Sequence, residues 1–406
     1  MKRKQKNALR FRILCIIFIS LCIFSFTGEQ SAYSVKAEDI SLEISQKEVD
    51  HLLQEEIRAQ LNELDLQGLE AYLRMLDEEN TTSLEERLLA FIKDGAFDYK
   101  QFWSDIGQVF FAQVSKLMPA FACIAAISLL SGLLSTLKSS TIGKTSSEMI
   151  FLFAYAASLI PLISVLIDCF SSVFQSIDNM SKQMEIIFPI MLTLLSASGG
   201  TVSAAICRPA VSFFATTIVS VIQNAVFPFT VLIVAFSMAS HLTKELKIGK
   251  FTAFFKSINK WIIGICISVF GLFFTLQGIT SATYDGAVRR AAKYAIGNGV
   301  PIVGGFLSGG FDLAVAGSIL IKNSIGSMSI FLMASILLEP LILLACVNLF
   351  LRLIAAVSQP FGDSRISDFL EETATNLQYC TAGLLFTAFL YFLCIVMMIC
   401  CTEALF

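Results

Sequence analysis

From residue 117 to the C-terminus the chain alternates long apolar runs with short polar joints. The runs lie at about 117–138, 149–170, 186–206, 210–240, 261–281, 300–322, 326–357 and 379–401. A helix needs about 20 mainly apolar residues to cross a bilayer, and these runs reach that size. Two of them, 210–240 and 326–357, exceed one upright crossing; each contains a proline, Pro228 or Pro340, and must tilt, bend or protrude. The pattern predicts an all-α, polytopic helical membrane protein. Ahead of it, Phe102, Trp103, Ile106, Val109, Phe110 and Phe111 make an aromatic-rich entry of the kind that anchors at an interface.

The first hundred residues follow other patterns. Lys2, Arg3, Lys4, Lys6, Arg10 and Arg12 precede a short apolar core at 13–26, and Val35, Lys36 and Ala37 offer small residues at cleavage spacing. Residues 1–37 are therefore read as a signal peptide, with an uncleaved anchor as the alternative. Both readings put residue 38 onward outside the cytoplasm. In 38–105, Val49, Leu52, Leu53, Ile57, Leu61 and Leu64 recur at helical spacing, as do Leu69, Tyr72, Leu73 and Leu76. Ser83 with Glu86, and Asp98 with Gln101, supply start signals. This predicts a small extracytoplasmic domain of three or four amphipathic helices, serving either as a solvated bundle or as an acidic docking surface.

Composition strengthens the membrane reading and localises the charge. The chain has 406 residues, 55% of them hydrophobic and 15% charged, with a mean hydropathy of +0.73. Residues 38–100 hold 17 acidic and 6 basic side chains, whereas 101–406 hold 16 basic and 14 acidic. Segment 241–260 carries five lysines and one glutamate, which places it in the cytoplasm. Eight full crossings from an outside start would put it on the wrong side. We therefore read 186–206 and 300–322 as re-entrant segments within a 106–406 membrane domain. That arrangement puts 9 Lys and Arg inside and 6 outside, against 8 and 7 for eight crossings. Lys250–Trp261 mixes lysines with Phe251, Phe254 and Phe255, as a helix lying along the cytoplasmic face or binding a partner would.

The two re-entrant candidates share a composition that lipid penalises. Glycine weakens helices, and an aspartate at membrane depth is costly, so both belong where backbone meets protein or water. Candidate lining residues are Gly199, Gly200, Gly304, Gly305, Gly309, Gly310, Asp312 and Glu339. Lys322, Asn224 and Gln223 are further polar residues in apolar runs. The structural alternatives are helix packing through Gly305 and Gly309, an Asp312–Lys322 pair, and a neutral, hydrogen-bonded Glu339. Pro189 and Pro301 lie 112 residues apart, as do Pro228 and Pro340, which suggests a duplicated unit like those of transporter halves.

Enzyme chemistry finds little support. The two histidines, His51 and His241, provide neither a serine–histidine pair nor a histidine metal site inside the membrane. Tyr284-Asp285 and Gly309-Gly310-Phe311-Asp312 only loosely echo the paired aspartates of intramembrane proteases, with Phe311 where glycine would be required. There is no phosphate-binding loop. The 11 cysteines include none in 38–105 and form no CxxC pair, so they read as small apolar filler. No cofactor, metal or nucleic-acid partner is expected.

The stretches KSINKWIIG (256–264), SVFGLFFTLQG (268–278), YDGAVRRAAKYAIGNGVPIVGGFLS (284–308), IKNSIG (321–326), Glu339-Pro340 and QPFGDSRISDFLEE (359–372) resemble the stage III sporulation protein AE family. The resemblance implies a multi-pass component of a channel or secretion-like apparatus joining mother cell to forespore. It implies ring-forming subunits, a secretion-type ATPase and a forespore partner as neighbours, with the protein in the mother-cell membrane around the forespore. It carries over no catalytic residue. The alternative from residues alone is a secondary permease moving a small solute through glycine-broken half-helices.

Overall fold

The computed structural model describes residues 51–61, 67–76, 99–137, 144–242, 249–299, 304–360 and 364–403, and for some helical stretches, 276–299 and 304–312 among them, the backbone alone. The signal peptide and most of the acidic segment lie outside these residues. The chain divides into two units, Met1–Glu55 and Glu56–Phe406. In the first, the described residues form helical turns in which His51 lies 3.7 Å from Glu55. Everything below concerns the second.

No strand occurs among the described residues. The helices are α1 (51–61), α2 (Gln67–Leu76), α3 (Tyr99–Leu137), α4 (Lys144–Ala197), α5 (Thr201–Ser212), α6 (Phe227–Leu242), α7 (Gly249–Gly299), α8 (Gly304–Ser358) and α9 (Ser364–Glu403). Two π-helical segments, Phe213–Ile218 and Ile222–Val226, join α5 to α6. The second ends just before Pro228, whose ring would strike the carbonyl four residues back in a regular helix; the wider turn relieves that crowding.

Among the described residues six helices are long and apolar enough to cross a membrane. Most of the eight apolar runs fall within them because two polar joints continue as helix. Residues 171–185 keep the 3.6 period, burying Val173, Ile177, Met180 and Met184, so α4 passes through them without a break. The joint at 323–325 is likewise inside α8. α3 also runs through residue 105, and Lys250–Trp261 is the first part of α7.

Glycine stops α4. Gly199 has φ 93°, its N–H donates to the Ser196 carbonyl at 3.1 Å, and the Gly200 N–H donates to the Leu195 carbonyl at 3.0 Å. This is a Schellman cap, the left-handed ending that glycine adopts without a Cβ penalty. A Cβ on Gly200 would stand 2.9 Å from Leu195 Cδ1. The Gly200 carbonyl then accepts from Ala204 N–H at 2.8 Å and starts α5. α8 is unbroken through Phe311 and Asp312, the positions 112 residues after Gly199 and Gly200, so the break is not repeated.

Contacts fix the direction of each helix. Leu195–Gly200, Phe170–Phe227 and Tyr155–Met238 make α4 and α5–α6 an antiparallel hairpin. Asn259 reaches Thr230 on α6, so α7 runs back, and Gln113–Glu339 with Ser128–Ser358 sets α8 parallel to α3. Asn348 reaches the Ala374 carbonyl and Ser367 the Ala355 carbonyl, turning α9 back along α8. The late part of α3, the start of α4, the ends of α6 and α8, and the starts of α7 and α9 thus gather at one end. The core between them includes Leu162, Ile177, Met180, Leu384 and Tyr391, all fully buried.

Candidate functional site

Exposed large apolar side chains locate the part of the bundle that suits lipid. They run from Phe110 to Leu133 on α3, from Met149 to Phe174 on α4 and from Phe251 to Leu272 on α7, with Leu349, Leu353 and Val357 on α8. Each of the first three stretches covers roughly 30–38 Å at the helical rise, a bilayer's apolar thickness with its margins. Trp261, 70% exposed, is on this belt. Beyond it the surface of α4 changes: the exposed residues of 177–197 are Lys182, Glu185, Pro189, Thr193, Ser196 and Ala197. This part reaches roughly 35 Å past Phe174.

α2 packs on that continuation, and residues 56–61 of α1 pack on the early part of α8. Gln60 donates to the Ala314 carbonyl at 3.0 Å and accepts from Ser318 Oγ at 2.9 Å; Gly317 lies against Glu56 and Gln60. Tyr72 donates to the Asn179 carbonyl at 3.2 Å, and Gly68 lies against Ile186. Ile57, Leu61, Leu69 and Tyr72 are buried, and burial pushes the Tyr72 phenol up to about 12. The amphipathic spacing in these two helices is used against the long helices.

One sector of the belt is polar. Between α3, α4 and α8 lies an open cleft of about 560 Å³. α3 supplies Gln113 and Lys116; α8 supplies Ser335 and Glu339 with Leu332, Ile336 and Leu343. α4 supplies Asp168, Ser171, Ser172, Gln175, Ser176 and Asn179, a stripe at one helical face. Lys116 Nζ is 3.7 Å from Asp168 Oδ2, with the two side chains 64% and 51% exposed. Gln113, only 9% exposed, donates to Glu339 Oε1 at 3.3 Å, while its own Oε1 has no hydrogen-bond partner. Beside the cleft, sharing Ser171 and Gln175, is a mainly apolar hollow of about 630 Å³ lined by Ile167, Phe170, Phe174, Phe227 and Val231, together with Asp178.

The sequence-derived candidates fall in separate places. Glu339 is in the cleft. Gly199 and Gly200 form the α4–α5 turn at the far tip of the hairpin. Gly304, Gly305, Gly309, Gly310 and Asp312 belong to the start of α8, where only the backbone is described. Lys322 is fully buried and donates to the carbonyls of Met398 at 3.1 Å and Ile399 at 2.9 Å, near the C-terminal end of α9, where the helix dipole favours a cation. Asn224 bonds Ser220 one turn back, in the second π segment with Gln223.

Gln113, Lys116 and Asp168 escaped the sequence reading. Lys116 precedes the run at 117–138 and Asp168 lies near the end of the one at 149–170, so each stands at the edge of an apolar run. The spacing of Asp168, Ser171, Ser172, Gln175, Ser176 and Asn179 is the signal that could have found the face. Among the described residues no cluster of three His, Cys, Asp or Glu could hold a metal, and six of the eight cysteines whose side chains are described are buried.

The profile of the family described as "Stage III sporulation protein AE" matches residues 83–402. The chain belongs to the stage III sporulation protein AE family. It is 26% identical over 255 residues to "Stage III sporulation protein AE" of Bacillus subtilis (strain 168), an alignment covering 63% of this chain and 64% of that protein. No solved structure matches the chain. The family match contains all of the cleft residues and the hairpin tip; α1 and α2 precede it.

Proposed function

We propose that this member of the family is the multi-pass membrane platform of a transenvelope complex linking mother cell and forespore during sporulation. Membership of a sporulation family supplies the process. The observation that carries the mechanical reading is the division of α4 into an apolar, lipid-suited half and a continuation with a polar surface, with α2 packed on that continuation and α1 on the early part of α8. A bundle extended in this way presents a docking surface well clear of the bilayer.

The side follows from charge. Lys250, Lys256, Lys260, Arg352 and Arg365 lie at the end where α3, α6 and α8 finish, and the positive-inside rule puts that end in the cytoplasm. The hairpin tip, α1 and α2 then project outside, into the space between the two membranes, with the six long helices as crossings. Ring-forming subunits and a forespore partner would meet the projection, and a secretion-type ATPase the basic end. One copy offers no through-passage along the cleft, whose lining stops at Lys116, Asp168 and Leu343; a conduit would form between subunits. The permease reading needs broken half-helices near mid-depth, whereas the α4–α5 break stands at the projecting tip.

Photo-crosslinkers at Lys182, Glu185 and Thr193 in sporulating cells test this. Capture of other envelope proteins there, and of lipid alone from Ile160 and Ile163, is expected. Lipid capture from the first three positions, or no protein capture, would overturn it.

A further inference from the structure

We propose that the cleft between α3, α4 and α8 holds the headgroup of a phospholipid bearing a primary ammonium, with its acyl chains running inward from the adjoining apolar hollow along Ile167, Ile163 and Ile160. This does not depend on which complex the protein joins.

Depth comes first. Counted along the helices, Gln113 lies about 4 Å and Asp168 about 9 Å inside the belt edge marked by Phe110 and Phe174, the level of headgroups and glycerol rather than of chain ends. The cleft also opens sideways: Ile167 and Phe174, beside Asp168 and Gln175 in sequence, are exposed apolar residues of the belt. Lys116 and Asp168, more than half exposed at this depth, would be costly against bare acyl chains. A ligand must therefore be polar where it meets them and apolar where it meets Phe170, Phe174 and Phe227.

The donor and acceptor inventory then selects the headgroup. At one end the cleft offers acceptors: the Glu339 carboxylate, and Gln113 Oε1, which is buried and unpartnered. An –NH₃⁺ group has three donors to share between the two Glu339 oxygens and Gln113 Oε1. At the other end Lys116 is the only cationic residue among the described lining, and a phosphate would share its ammonium with Asp168, 3.7 Å away, while accepting from the Ser171 and Ser172 hydroxyls. A choline headgroup keeps the charge but has no N–H to donate, and a glycerol headgroup lacks the cation.

The test is lipid competition on the delipidated full-length protein in detergent, read by native mass spectrometry. Phosphatidylethanolamine, phosphatidylcholine and phosphatidylglycerol with identical acyl chains are offered together. The ethanolamine lipid is expected to be retained roughly tenfold over each of the others, the size of effect one charge-assisted hydrogen-bond set gives. Glu339→Gln should abolish most of that preference, and Lys116→Gln should weaken retention of all three lipids alike. Equal retention by the wild-type protein overturns the proposal, even if the variants do not fold. So does a preference that survives Glu339→Gln, or recovery of a lipid-free oligomer in which a second copy covers Ser171.

Discussion

The hydroxyl of Tyr155 on α4 donates a 2.6 Å hydrogen bond to the carbonyl of Met238 on α6. The ring is fully buried against Phe151 and Phe369, so one side chain ties the hairpin to the start of α9. Tyr155→Phe keeps the packing and should cost about 1 kcal/mol, while Tyr155→Ala should cost roughly 3–5 kcal/mol. Thermal unfolding in detergent, ranking wild type above Phe and Phe well above Ala, checks this.

At the hairpin tip, Gly199→Ala forces a Cβ into the left-handed region and should destabilise by roughly 1–2 kcal/mol. Gly199→Asn should lose less, because asparagine tolerates that region. Hydrogen exchange across 194–204 should quicken in the alanine variant first; equal protection in both variants would contradict the capping role.

Lys322 gives a sharper contrast. Removing its ammonium leaves the Met398 and Ile399 carbonyls without that donor inside the core, so Lys322→Ala should cost roughly 1.5–3 kcal/mol. Melting of the variant at the wild-type temperature would show that the bonds contribute nothing.

Docking of α2 should respond to pH in a definite direction. Burial holds the Tyr72 phenol neutral up to about 12, above the free value near 10. The stabilisation is fully present below about pH 10 and is lost as pH rises through about 12. Exchange protection of 67–76 should fall over that window, and Tyr72→Phe should remove the dependence.

Sidedness is directly measurable. In a cysteine-free background, an impermeant maleimide added to intact cells should label Thr193→Cys and Lys182→Cys, and should reach Lys250→Cys only after permeabilisation. Labelling of all three from outside would refute six crossings with the basic end in the cytoplasm.

Helix class, membrane residence and family were legible in the chain because apolar runs and the stretches from 256 to 372 are local signals. Glu339 was legible too, as a lone carboxylate in an apolar run. Its neighbours were not: Gln113, Lys116 and Asp168 come together only through the register of α3, α4 and α8, which no window contains. Gly199 and Gly200 were read as lining of a re-entrant segment, on the ground that glycine weakens a helix; the structure ends α4 at them. Where the break falls depended on residues 171–185, whose polar composition hid a buried face.

Because α4 is one continuous helix from the end where α3, α6 and α8 finish to the hairpin tip, it has the geometry of a lever. A rod of this length, roughly 80 Å, that pivots by about 10° carries its far end through about 14 Å. A displacement of the helix at one surface of the membrane would thus arrive at the other as a sizeable stroke, with no messenger needing to cross.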